Sequence, residues 1–357
     1  MLQKVIPLSE PKEAALAHAT RLVYLVFERR NLGAQQTFME EFGLTTLSQQ
    51  GRTLYMGAQA ESFYCYRCEE GARDGLLGFG LAVSERAELE RLAQRFGVAS
   101  EFHAWPLPHE KIVLRDPNGL AIEVLWMAGD VDPSRDARPA ASPRGRGEEI
   151  RLVSRPARIH KLGHLVLDVF RFQESVAWYR ELFGMLPTDV LCLDSGEPVV
   201  AFMRFDRGSA LTEHHSLVIS SNIQVGCNHS AYEVSSLDDM AMGQQVLQAR
   251  RRRHVWGIGR HLLGSQLFDY WRDPAGEVVE HYFDSDRYDA SRPVEYHRLS
   301  SSGLYQWGPN VPAGFGLPKL DAQKLQHLFK AAFAGDLKLG RVLRMKKQMS
   351  EPAKAWL

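Results

Sequence analysis

The strongest constraint on the fold of this chain is an internal duplication. The stretch RLVYLVFE (21–28) leads into a helical run ending FMEEFGL, and KLGHLVLD (161–168) leads into one ending WYRELFGM. Phe172, Val176, Tyr179 and Phe183 recur at helical spacing before Gly184, as Ala34, Phe38 and Phe42 do before Gly43. Each is one apolar helix face closed by a glycine stop. Further on, LRDPNGLAIEVLW (114–126) matches WRDPAGEVVEHYF (271–283), and between these segments LGFGLAVSERAELERLAQ echoes NHSAYEVSSLDDMAMGQQ. Each half thus predicts a strand and helix, further strands, a second helix and a turn-punctuated hairpin. The joining stretch AGDVDPSRDARPAASPRGRGEE is rich in proline, glycine, alanine and charge, as an irregular connection is. The expected organisation is a first unit over 1–128, a linker over 129–157, a second unit over 158–300 and an extension over 301–357. In that extension Leu325, Leu328, Phe329, Ala332 and Phe333 share one helical face ahead of a basic tail.

Composition narrows the partners. Lys+Arg and Asp+Glu cancel at 43 each, so no global charge favours nucleic acid or an anionic membrane. No apolar run reaches the roughly 18 residues of a membrane span, and the N-terminus lacks the apolar core of a secretory signal. A cytoplasmic protein is expected. Four cysteines are too few for a disulfide framework in 357 residues. Cys65 and Cys68 have CxxC spacing, but no second pair completes a zinc site, and on a regular strand the two would face opposite ways.

The hairpin of the second half carries the chemistry. Asp273-Pro274-Ala275-Gly276 fits a type I turn. In the strand after it, alternation places Val278, Glu280 and Tyr282 on one face and Val279, His281 and Phe283 on the other. Glu280 therefore shares a face with hydrophobic neighbours, where an ionised carboxylate needs a cation. Aligning the halves sets His164, His229 and Glu280 against Tyr24, Gly78 and Glu123. Two imidazoles and one carboxylate make a facial triad that leaves positions open on a divalent metal. Only the second half has it, so Glu123 is expected to be a relic or a structural carboxylate. His214 and His281 flank site residues on the opposite strand face and are read as non-ligands. The run Arg250–Arg253 reads as a solvated helix end rather than a phosphate patch. Trp307 could cover either the site or the core.

On these residues the sequence resembles the type I extradiol ring-cleavage dioxygenases of the vicinal oxygen chelate superfamily, from about residue 15 to about residue 300. The resemblance implies an α+β fold, the vicinal oxygen chelate (glyoxalase/bleomycin-resistance/dioxygenase) fold, with duplicated halves of paired βαβββ modules. Only the C-terminal half would bind metal, through His164 in KLGHLVLDV, His229 in CNHSAYEV and Glu280 in GEVVEHYF. The family's second-shell histidine falls on His215 in TEHHSLVI, and a further histidine and tyrosine fall on His261 and Tyr270. Fe(II) is the implied cofactor, with Mn(II) accepted by the same ligands. The implied partners are a catechol or trihydroxy-arene and dioxygen, in a homo-oligomer without nucleic acid or membrane. His215 would act as acid and base, while His261 and Tyr270 would hydrogen-bond the substrate oxygens. The phrase RHLLGSQLFDYWRDP looks closest to a branch that includes trihydroxytoluene oxygenases. Two departures bear on substrate choice: Leu262-Leu263-Gly264 stand where biphenyl-type members carry polar residues, and Asp269 precedes Tyr270. Other members of the superfamily are metal-dependent isomerases or lyases that use no dioxygen, or metal-free binding proteins, and these are the competing expectations.

Overall fold

The computed structural model describes residues 5–11, 13–59, 61, 63–128, 149, 151–312, 315 and 339–350. Most of the expected linker, and the apolar helical run near residue 330, lie outside them.

The first half runs β1 (Ala19–Arg29), α1 (Leu32–Phe42), β2 (Thr45–Gln50), β3 (Thr53–Gly57), β4 (Tyr66–Glu70), β5 (Gly75–Val83), α2 (Arg86–Phe96), β6 (Glu101–His103), β7 (His109–Arg115) and β8 (Ala121–Met127). The second half runs β9 (Ile159–Val169), α3 (Phe172–Phe183), β10 (Leu186–Cys192), β11 (Pro198–Arg204), β12 (Thr212–Glu213), β13 (Leu217–Ser221), β14 (Gly226–Val234), α4 (Leu237–Ala249), β15 (Arg253–His261), β16 (Leu267–Arg272) and β17 (Val278–Phe283). It continues through β18 (Arg287–Tyr288), β19 (Glu295–Arg298), β20 (Tyr305–Trp307) and a final helix, α5 (Leu339–Met349).

The strand order shows the repeated module. In the first sheet, β2-β3-β4-β1 adjoins β5-β8-β7-β6; in the second, β10-β11-β13-β9 adjoins β14-β17-β16-β15. Each group of four is one βαβββ unit whose first and last long strands pair in parallel, and the two units of a half join through antiparallel first strands. The fold is α+β and has the module pattern of the vicinal oxygen chelate fold. The second sheet carries two strands with no counterpart in the first, β19 beside β10 and β20 beside β15.

Helix ends follow local chemistry. Asn31 and Ser236 cap α1 and α4 through side-chain oxygens, and Gly97 and Gly184 close α2 and α3 in the left-handed conformation. The expected turn forms: Gly276 N–H donates to the Asp273 carbonyl at 3.0 Å, as Gly119 does to Asp116 at 2.9 Å in the first half. Cys65 and Cys68 lie together in the main core rather than on opposite faces, because Cys65 precedes the regular strand β4 and escapes its alternation. Arg252 is not simply solvated, since its guanidinium bonds Glu41 of α1 at 2.6 Å. Trp307 is half exposed on β20. Among the described residues no helix is long and apolar enough to cross a membrane.

Candidate metal centre

Three neighbouring strands supply the centre. His164 comes from β9, His229 from β14 and Glu280 from β17, and Ala231 stands opposite both His164 and Glu280 in the ladder. The ligand atoms of the three residues all lie within 4.8 Å of one another. Nε2 of His164 and of His229 approach Glu280 Oε2 at 3.2 and 3.5 Å. Glu280 is wholly buried, and neither of its oxygens makes a hydrogen bond of good geometry. Burial alone would raise its pKa, but the imidazoles of His164 and His261 outweigh that and hold it below the usual carboxylate range. Burial pushes His229 down to about 3, so its ring is neutral. A buried carboxylate facing two imidazole nitrogens, with its own oxygens unsatisfied, is a donor set that suits a divalent cation. His229 Nδ1 meets the Asn228 side-chain oxygen at 3.1 Å, which leaves Nε2 as the ligating atom.

The first half shows what becomes of the same position without the histidines. There Gly80 stands opposite Tyr24 and Glu123, as Ala231 does opposite His164 and Glu280. Tyr24 donates its hydroxyl to Glu123 at 2.6 Å, Arg67 adds bonds at 2.6 and 3.2 Å, and Lys111 adds one at 2.8 Å. Burial would raise the Glu123 pKa, but Arg67 and Lys111 hold it down at about 2. Side-chain cations here take the place a metal would have, so this glutamate is structural.

Above the triad opens a largely apolar cavity with a few convergent polar groups, the character of a small-molecule site. His164, His215, His229, His261 and Tyr270 line it together with Val166, Phe202, Trp256, Leu263 and Phe315, and among the described residues no lysine, arginine or carboxylate lines it. The His215 ring centroid is 4.2 Å from that of His164, and burial pushes its pKa well below the ordinary value. His261 Nδ1 bonds the Leu304 carbonyl at 2.7 Å, so its Nε2 accepts the Tyr270 hydroxyl at 2.8 Å. Burial, and then Glu280, raise the Tyr270 phenol well above its usual range.

Of the two noted departures, Leu263 lines the cavity, whereas Asp269 faces away from it. Asp269 is buried beneath α4 and accepts from Trp271 Nε1 at 2.7 Å, His254 at 2.8 Å and Gln244 at 3.1 Å. His281 also faces away, stacked 3.8 Å from Phe42 with Nε2 on the Phe42 carbonyl. Trp256, Phe202 and Phe315 were not anticipated at the site, because apolar residues in strands and loops look alike whether they line a core or a cavity. Helix α5 packs behind the cavity. Its Met345 and Met349, like Phe202 and Leu263, pack on the cluster that contains Val166. Arg341 bonds Glu197 at 2.7 Å, and Gln348 bridges Asp194 N–H and the Leu299 carbonyl.

No family model matches the chain. Metapyrocatechase 2 of Cupriavidus necator is 26% identical over 314 residues, covering 86% of this chain and 95% of the relative. A biphenyl-2,3-diol 1,2-dioxygenase of Paraburkholderia xenovorans is 26% identical over 251 residues, covering 67% of this chain and 78% of its own. Among solved structures, a Mn(II)-bound glyoxalase from Novosphingobium aromaticivorans superposes with a TM-score of 0.70 at 22% identity, over 86% of this chain and 96% of that one. An extradiol ring-cleaving dioxygenase from B. fuscum does so with 0.69 at 16% identity, over 89% and 87%. The structural likenesses establish the fold, and over most of its length the chain is similar to the curated metapyrocatechase and biphenyl-2,3-diol dioxygenase, a pattern consistent with the type I extradiol dioxygenases of the vicinal oxygen chelate superfamily.

Proposed function

We propose that the protein cleaves a catechol or trihydroxy-arene in extradiol fashion with Fe(II) held by His164, His229 and Glu280, and that residues 158–300 form its catalytic domain. The observation that carries this reading is the set of ligand atoms within 4.8 Å of one another at a cavity that also presents His215, His261 and Tyr270. Ferrous iron, when bound, supplies open coordination positions on one face and the electrons for activating dioxygen. The chain's own groups do the rest. His215, kept neutral by burial, takes a proton from a substrate hydroxyl and later returns it to a leaving oxygen. Tyr270 stays protonated through the physiological range and so remains a donor, and His261 fixes its direction. Tyr270 would stabilise charge developing on a substrate oxygen when its hydroxyl turns from His261 toward the substrate, and His261 would do so once its Nε2 gains a proton. The apolar walls exclude water and favour a ring with a neutral or alkyl substituent over one bearing a carboxylate, since among the described residues no lysine or arginine lines the cavity to pair with it.

The test is anaerobic loading with Fe(II), followed by oxygen-electrode assays over alkyl-, aryl- and carboxymethyl-substituted catechols. Dioxygen uptake with a yellow ring-opened product is expected for the neutral rings. Metal-replete protein that consumes no dioxygen with any of them overturns the proposal. Turnover of another substrate without dioxygen would place the same ligands in an isomerase or lyase. Mn(II) loading in parallel reads which metal supports the activity.

A further inference from the structure

Beside the cavity runs a line of hydrogen bonds that none of the steps above requires. His215 Nδ1 lies 2.7 Å from His214 Nδ1, His214 Nε2 lies 2.5 Å from Asp189 Oδ2, and Asp189 Oδ1 lies 2.8 Å from His297 Nε2. The first three residues are buried, His214 and Asp189 at 0 and 3% exposure, while the His297 side chain is one-third exposed.

The fold makes this line by letting two consecutive histidines turn apart. Their rings stand at 88° to each other, so His215 lines the cavity while His214 reaches β10. Asp189 lies on β10, and His297 lies on β19, which pairs with β10 in parallel. Gly264 closes the other side of His214. A Cβ there would stand 3.1 Å from the His214 Cγ, at a residue whose φ is +78°.

The partners assign the hydrogens. Burial would raise the Asp189 carboxyl, but His214 and His297 hold it below the usual range, so it is a carboxylate and only accepts. His214 Nε2 therefore carries a hydrogen, and in the neutral tautomer this bond selects, His214 Nδ1 carries a lone pair. Two Nδ1 atoms at bonding distance share one hydrogen, which must then sit on His215. His215 Nε2 is left with its lone pair, the form a general base needs.

We propose that Asp189 and His214 are positioning residues that fix the tautomer and orientation of His215, with His297 holding the carboxylate in place. When His215 Nε2 takes a proton from the substrate, its Nδ1 hydrogen moves toward His214 and the new positive charge is shared along a line that ends on a carboxylate. This catalytic consequence rests on the proposed function, whereas the tautomer assignment stands without it.

The test compares the wild-type protein with His214→Gln and His214→Phe. Glutamine offers an oxygen to His215 Nδ1–H and an amide hydrogen to Asp189, whereas phenylalanine fills the space and offers neither. Long-range proton–nitrogen NMR on metal-free protein should show His215 as the Nδ1–H tautomer in wild type and His214→Gln, with mixed tautomers in His214→Phe. In iron-loaded enzyme, kcat should fall about a hundredfold in His214→Phe with KM unchanged, and should recover in large part in His214→Gln. A wild-type His215 in the Nε2–H tautomer overturns the proposal, as does a His214→Phe variant with wild-type tautomer and wild-type kcat. If no substrate turns over, the proposed function fails and the NMR still decides this one. Should His214→Phe not fold, the wild-type and His214→Gln spectra carry the decision.

Discussion

What an imidazole does in this site depends less on its own position than on what grips its far nitrogen. His229 is held by Asn228, whose side-chain oxygen accepts Nδ1–H and turns Nε2 toward Glu280. Asn228→Ala should therefore weaken metal affinity roughly 10–100-fold without touching a ligand, a loss that competition with a chelator would measure. Leu263 acts through volume. It stands in the cavity wall against Val166 and Phe202. Leu263→Ala should shift kcat/KM toward bulkier ring substituents by about tenfold over unsubstituted catechol, as the removal of a few methylenes from an apolar pocket does. Competition between catechol and an aryl-catechol checks it, and an unchanged ratio would exclude Leu263 from substrate choice. The sequence made the triad legible because three ligand types fell at equivalent points of a repeat and were missing from its sister. His214 was legible only as a neighbour of His215. Its partners Asp189 and His297 lie on distant strands, and no local pattern joins them.

At the scale of the element, the two halves solve the same electrostatic problem differently. In each, a parallel pair of strands carries a buried glutamate that needs positive charge beside it. The first half supplies it permanently, from Arg67 on β4 and Lys111 on β7. Because the folded pKa of Glu123 is about 2 against an ordinary 4.5, its contribution is fully present above pH 4.5. It is lost as pH falls toward 2, and amounts to roughly 3 kcal/mol. Glu123→Gln should remove that contribution at neutral pH and flatten the acid limb of stability over this window. Urea unfolding from pH 7 to pH 3 measures both, and a variant whose acid limb parallels the wild type would rule the ion cluster out as its cause. The repeat also foretold most elements, because helix spacing, glycine stops and the DP-x-G turns occur twice. Strands β19 and β20 escaped notice because they belong to no repeat and are only four and three residues long. Helix α5 escaped for another reason. A basic, amphipathic run reads as solvated until Glu197, Asp194 and Leu299 are seen to receive its Arg341 and Gln348.

Across the whole molecule, each half steadies the turn of the other. Asp273, in the hairpin that leads to Glu280, accepts Arg29 of β1 at 3.1 Å and Gln35 of α1 at 3.0 Å. Its first-half counterpart, Asp116, accepts Tyr179 of α3, and Asn118 of the same turn bonds Ser175 of α3. The sequence showed both aspartates as turn formers but not as cross-links, since Asp273 and Arg29 are 244 positions apart. The Arg29–Asp273 pair is a buried one, and burial raises the Asp273 carboxyl above its ordinary value in spite of Arg29. Desolvation offsets much of the attraction in a buried pair, so this one contributes registration between the halves more than net stability. Asp273→Asn keeps an acceptor for the Glu277 backbone N–H, which Asp273 Oδ1 now holds at 2.8 Å, but strands the Arg29 charge. It should cost about 3–5 kcal/mol. Adding Arg29→Met should recover much of that loss, because the uncompensated charge disappears with it. Guanidinium unfolding of the wild type, both single variants and the double variant closes the cycle. Independent, additive effects would mean that the two halves are not held in register by this pair. A metal affinity that weakens in Asp273→Asn and returns in the double variant would show that the registration reaches Glu280, seven positions along the same hairpin.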